Sequence, residues 1–284
     1  MKWIKLATLP IVLMATLGIY VLTTQEQATM AHGASAEASS SFNSNQQNGR
    51  TLTSLKPNSK NRPDFANISD VNQKKQTFFE YMLPMIRQAN AAIMAQRETV
   101  LSLQKKFSDN ETLNGSDQKA LEELLNFYHV EYDNEITQAH FTELLNRCDI
   151  VPAGLVLAQS ANESAWGTSR FAVKANNFFG LWCFQRGCGL KPSERDDDNS
   201  HEVAKFDSVN HGVRYYVKTI NTHYAYENLR KIRSDLRREN INITGTVLAE
   251  GLLPYSERGH AYVKEIQSMI RFNKLSRYSL DTRA

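Results

Sequence analysis

Gln159-Ser160-Ala161-Asn162-Glu163-Ser164-Ala165-Trp166-Gly167 closes an apolar run that begins at Val151. Pro152 suits the first turn of a helix, where a missing N–H costs nothing. Leu155, Val156, Ala158 and Gln159 carry that helix toward Glu163, and Gly167 offers a stop. A glutamate at the end of an apolar helix, beside a tryptophan and a glycine turn, stands where burial disfavours the charged carboxylate and raises its pKa. A carboxyl still protonated near neutral pH can donate to a glycosidic oxygen. The plainer reading of the same residues is a solvated glutamate on a helix surface.

Downstream, Phe179 to Phe206 holds glycines, Pro192, the acidic cluster Asp196-Asp197-Asp198 and two apolar ends. This composition reads as a β-hairpin or irregular lobe. Helical spacing resumes from Ser208 with Val213, Tyr216, Val217 and Ile220. Glu227 to Arg238 is a charged helix, read as a solvated face. A last helix from about Gly259 bears Tyr262, Ile266, Met269 and Ile270. Upstream, residues 66–150 form a helical region. Phe78, Met82, Met85, Ile86, Ala89 and Ile93 recur at helical spacing, with Ser69 or Asp70 as cap and Pro84 as a kink. Ser116 precedes a second helix with Leu121, Leu124, Leu125 and Tyr128, and Thr137 a third with Phe141, Leu144 and Leu145. These stripes are core-forming, and the region shows no chemistry.

Residues 25–65 are dominated by Ser, Asn, Gln and Ala, as in Ser39-Ser40-Ser41 and Asn45-Gln46-Gln47-Asn48. Such a tract cannot offset its ordering entropy by burial and is expected to be a disordered tether. Residues 1–24 open with Lys2 and Lys5, and an apolar stretch runs on to Leu22. A retained inner-membrane anchor is favoured over a cleaved signal peptide. Either way the body is expected to be exported. The formal net charge is +3; without Lys2 and Lys5 the balance is 31 basic against 30 acidic residues, or +1. That balance, with no dense basic run, argues against a nucleic-acid partner.

The chain has three cysteines, Cys148, Cys183 and Cys188. In an exported protein a Cys183–Cys188 bridge competes on equal terms with three free thiols. No histidine pair stands at ligand spacing near them, and neither metal nor other cofactor is expected.

Four blocks together resemble the glucosaminidases of glycoside hydrolase family seventy-three. The first is the opening stretch, which matches the family signature at Gln159, Ala161, Glu163, Ser164, Trp166 and Gly167, and departs from it at Ser160, Asn162 and Ala165. The others are Asn176-Asn177-Phe178-Phe179-Gly180, Lys205-Phe206 with Gly212 and Tyr216, and Tyr255 with Tyr262-Val263-Lys264-Glu265-Ile266. They cover about Val151 to Leu275, leaving residues 25–145 aside. The Trp182-Cys183-Phe184 and Gly187-Cys188-Gly189 details are similar to the Bax-type branch found in enteric bacteria.

The resemblance implies a lysozyme-like, mainly α domain over residues 151–284 with a small β-hairpin lobe, acting on peptidoglycan. It implies that Glu163 is the general acid and that Tyr262 orients the sugar or the attacking water. A core aromatic on the last helix is the rival role for Tyr262. Phe179, Trp182 and Tyr255 are candidates for sugar contact and Asn177 for an acetamido group, with capping or turn formation as the rival role for Asn177. Trp166 is expected in the core. Most glycosidases use two carboxyl groups. Glu202, in the alternating run Glu202 to Phe206, ranks slightly above Glu194, and both rank above Asp196, Asp197 and Asp198. The substrate's own acetamido group is the remaining candidate. Rival functions are a lytic transglycosylase and a non-catalytic wall-binding factor; the latter does not require Glu163 with its flanking Ser164 and Trp166.

Overall fold

The computed structural model describes residues 62–133, 135–192 and 202–279. The expected anchor (1–24) and most of the expected tether therefore lie outside the described residues, as do Glu194 and the three clustered aspartates. The fold is mainly α with one small antiparallel sheet.

The upstream apolar stripe folds into α1 (Val71–Ser108), a long helix that continues past Pro84. Asp70 caps it by accepting from the Gln73 N–H at 2.7 Å. α2 (Gly115–Phe127) starts two residues earlier than Ser116 suggested, because Asn114 and Asp117 form a reciprocal capping box around its first turn. α3 (Gln138–Arg147) follows Thr137. α4 (Ala153–Glu163) is buried at every position from Ala153 to Ala161. A helix apolar on all sides belongs in a core, and α1, α8 (Gly245–Leu248) and α9 (His260–Phe272) pack around it. Between them lie α5 (Arg170–Ala175), α6 (Val209–Thr222) and α7 (Glu227–Arg238).

A single hydrophobic cluster takes in Phe78, Leu125 and Phe141 from the upstream region, and Leu155, Val213 and Ile266 from the downstream one. The core thus runs across residue 150 without a break. It also reaches the end of the expected tether. Phe65 is buried against Phe78 and Tyr81, with ring centroids 5.5 and 5.9 Å away, and Arg62 donates to the Ala172 carbonyl at 2.9 Å. One phenylalanine in a polar tract gives no periodic signal, so its burial was not legible.

The charged helix α7 is not simply a solvated face. Arg230 and Arg233 are buried, and Arg233 donates to the carbonyls of Asn146, Asp149 and Ile150 and to Asn221 Oδ1 at 2.7–3.0 Å. A guanidinium is stable inside when its N–H groups are matched with acceptors, and the carbonyls at the end of α3 supply them.

The lobe has three strands, β1 (Trp182–Cys183), β2 (Gly189–Leu190) and β3 (Glu202–Ala204), in the order β1-β3-β2. Trp182 pairs with Val203, and Gly189 with Ala204. A side chain at Gly189 would lie 2.0 Å from the Val203 carbonyl oxygen, so only glycine fits that crossing. Cys183 and Cys188 form a disulfide across the turn, and Cys148 is a free, buried thiol.

Candidate active site

α4 ends at Glu163 because the chain turns sharply there. Ala165, Trp166 and Gly167 all have positive φ (49°, 59° and 80°). Two non-glycine residues in the left-handed region are costly, and local bonds hold them. The Ser164 hydroxyl donates to the Ser160 carbonyl at 2.6 Å and accepts from the Gly167 N–H at 2.8 Å. The Trp166 indole packs edge-on against Phe78 and Phe79, at 5.6 and 5.5 Å, with the Lys75 ammonium 5.3 Å from its centroid. It therefore anchors the turn to the core, as expected.

Glu163 is half-buried and faces tyrosines. The Tyr262 hydroxyl donates to Glu163 Oε1 at 2.8 Å. Gln159, one turn earlier on α4, donates from Nε2 to the Tyr262 oxygen at 3.0 Å, and its Oε1 accepts from the Tyr216 hydroxyl. Tyr216 and Tyr262 are both buried and come from α6 and α9. Tyr262 in turn stacks on Tyr255 with centroids 5.3 Å apart. No ion pair joins Glu163 among the described residues. Burial pushes its carboxyl up to about 7; the Tyr262 and Asn162 hydrogen bonds pull the other way, Glu265 adds to the rise, and Arg258 opposes it weakly.

The remaining expected residues divide sharply. Tyr255 is buried and donates its hydroxyl to the Phe179 carbonyl at 2.7 Å. Phe179 is buried and stacks on Tyr216 at 4.1 Å. Asn177 is buried, and its amide serves four backbone groups: Nδ2 donates to the Leu181 and Ala204 carbonyls, and Oδ1 accepts from the Phe179 and Leu181 N–H groups. All three side chains are thus engaged within the fold, and Asn177 holds the turn into β1. Trp182 is half-buried on β1. Glu202 is buried on β3, and its two oxygens accept from the Gly187 and Gly189 N–H groups at 3.1 and 2.9 Å. Its carboxylate is thus engaged by the disulfide loop.

Gln159 and Tyr216 stand in the quoted sequence blocks, yet nothing there marked them as partners of Glu163. The i, i+4 spacing of Gln159 and Glu163 was the available signal, since it puts both on one helix face. Gly180 is a further neighbour: a side-chain carbon there would lie 3.7 Å from Glu163 Oε2.

The arrangement is a carboxyl that stays protonatable near neutral pH at the end of a buried helix, with the Tyr262 hydroxyl aimed at it. Among known proteins, the glucosaminidase family, described as mannosyl-glycoprotein endo-beta-N-acetylglucosaminidase, matches residues 138–275. The chain belongs to this family and is a glycoside hydrolase, an N-acetylglucosaminidase. Among curated proteins it is 30% identical over 212 residues to Protein bax of Escherichia coli (strain K12), an alignment covering 75% of this chain and 74% of that protein. No solved structure matches.

Proposed function

We propose that the protein is a peptidoglycan hydrolase, an endo-β-N-acetylglucosaminidase of glycoside hydrolase family seventy-three and its Bax-type branch, with Glu163 as general acid. The observation that carries this reading is the raised Glu163 carboxyl, pushed up to about 7 by burial and joined by Tyr262. Below that value the group holds a proton for the glycosidic oxygen; above it the proton is gone. Tyr262 keeps the carboxyl aimed and stabilises the carboxylate left after transfer.

For the second group we assign the substrate's acetamido oxygen. Glu202 already accepts two backbone N–H groups, which opposes a role as free base or nucleophile. In this scheme the acetamido oxygen attacks the anomeric carbon as the Glu163 proton reaches the leaving oxygen, and water then opens the cyclic intermediate. The engagement of Glu202 also favours one rival, a lytic transglycosylase, which needs a single acid. Export to the periplasm, an inner-membrane anchor at residues 1–24 and a tether after it complete the proposal; they rest on the sequence. Among the described residues no helix is long and apolar enough to cross a membrane.

Mass spectrometry of peptidoglycan digested with the protein tests the reading. New reducing N-acetylglucosamine ends are expected. Anhydro-muramyl ends would transfer the protein to the lyase class, and the absence of any new end would overturn both.

A further inference from the structure

Three hydrogen bonds in series link α6, α4 and α9 to the reactive carboxyl, and their donors and acceptors are not interchangeable. An amide nitrogen donates and cannot accept. Gln159 Nε2 lies 3.0 Å from the Tyr262 oxygen, so that oxygen is an acceptor there. The one proton of Tyr262 is then free to point only along its other short contact, 2.8 Å to Glu163 Oε1. The amide itself is held the right way round by Tyr216, whose hydroxyl donates to Gln159 Oε1. Gln159 is fully buried, so no water competes for either end of the amide.

We infer that Gln159 is a positioning residue: its amide, held by Tyr216, turns the Tyr262 proton onto Oε1 of Glu163 and leaves Oε2 as the oxygen that carries the transferable proton. Oε1 accepts from Tyr262 in both charge states, so a proton taken up by Glu163 sits on Oε2. That oxygen faces Gly180, where the absent side chain leaves room. The statement about Oε2 as the donating oxygen rests on Glu163 being the general acid; the orientation of Tyr262 by Gln159 does not.

The hydrogen bond from Tyr262 favours the carboxylate, and losing it raises the pKa of Glu163. The groups facing Glu163 are Tyr216 from α6, Tyr226 and Tyr255 from the short turns beside α7 and α8, and Tyr262 and Glu265 from α9. Arg258 ahead of α9 and the neighbouring Asn162 complete the set. Of these only Tyr262 bonds both Glu163 and Gln159.

The test is a carbon-13 NMR titration of the Glu163 carboxyl in the full-length chain, its resonance assigned by its loss in Glu163→Gln. The midpoint is expected near 7 in the unaltered protein. Gln159→Met and Tyr262→Phe should each raise it by about one unit, the scale of one hydrogen bond to a carboxylate. The double variant should rise no further than either single. Tyr216→Phe, which keeps the ring stacked on Phe179, should move it in the same direction and decides the matter if Gln159→Met does not fold. An unmoved midpoint in Gln159→Met or Tyr216→Phe, or additive shifts in the double variant, would overturn the inference, because a merely structural glutamine shifts no titration. Should the titrations behave as expected while Glu163→Gln still cuts glycan, the acid assignment fails and the positioning of Tyr262 stands.

Discussion

α4 has an acid near each end, buried Asp149 and half-buried Glu163, and the two are treated in opposite ways. Asp149 lies just before the helix, and Arg237 grips it in two places, at 2.9 Å from Nε and 2.7 Å from Nη2. Arg97 stands 3.6 Å from the same carboxylate. Burial alone would push Asp149 up; the Arg237 bonds and the Arg233 and Arg97 charges win and hold it below the usual range. Glu163, at the far end about 16 Å along the axis, meets hydroxyls and amides. There burial wins and the carboxyl rises to about 7. Burial acts on both carboxyls in the same direction, and the neighbours decide the opposite outcomes. Guanidinium groups make a buried carboxylate a rivet between α3 and α7. Tyrosines leave it able to hold and release a proton.

The comparison breaks most severely at its structural end. Asp149→Asn keeps the shape and strands buried arginines without their counter-charge, and should cost about 3–5 kcal/mol of stability, read from the denaturant midpoint. A loss below about 1 kcal/mol would mean that the arginines are held by carbonyls alone. At the chemical end, Glu163→Gln should lower glycan cleavage on the order of 100-fold or more while the far-ultraviolet spectrum stays unchanged.

A second consequence of Glu163→Gln sharpens the contrast. The folded pKa is raised, from 4.5 to about 7, so the folded state binds the proton more tightly than the unfolded one. Stability from this group is fully present below about 4.5 and drains away as pH rises to about 7. Removing the charge should therefore stabilise the protein at pH 8, by about 1–3 kcal/mol, and bring no gain at pH 4. Thermal melts of both proteins at the two pH values check the sign. Cleavage by the unaltered enzyme should likewise fall off above pH about 7. The smallest effect concerns Gly180. Gly180→Ala puts a methyl group 3.7 Å from Glu163 Oε2 at a φ of +64°. It should lower kcat about 3- to 10-fold through misplacement of the leaving oxygen.

The Glu163 end of α4 was the more legible of the two. An apolar helix terminating in Glu-Ser-Ala-Trp-Gly announces a carboxyl in a dry place, and the helical stripes of α1, α2, α3, α6 and α9 follow from period 3.6. The riveted end was misread. Arg230 and Arg233 are charged letters in a charged helix, and nothing in their spacing says that carbonyls of α3 and α6 wait for them. The same blindness affected Asn177, Phe179 and Tyr255. Their residue types suit a sugar site, but only the folded chain reveals that the Asn177 amide and the Tyr255 hydroxyl are bonded to backbone and that the Phe179 ring is buried against Tyr216. Glu202 was rightly read as a strand residue, and the strand is what turns its carboxylate toward the Gly187–Gly189 backbone.

That fastening has a mechanical side. Strands of two or three residues offer too few ladder bonds to hold a lobe by themselves. The disulfide closes Cys183 to Cys188 into a small ring, and the Glu202 carboxylate clasps the ring to β3. Phe184, Gln185 and Arg186 project from inside this ring, all exposed, with Phe184 at 75%. Substitutions among them disturb neither the α4 core nor the acid at its end. The ring is thus a small stapled loop that carries three exposed side chains on a fixed frame.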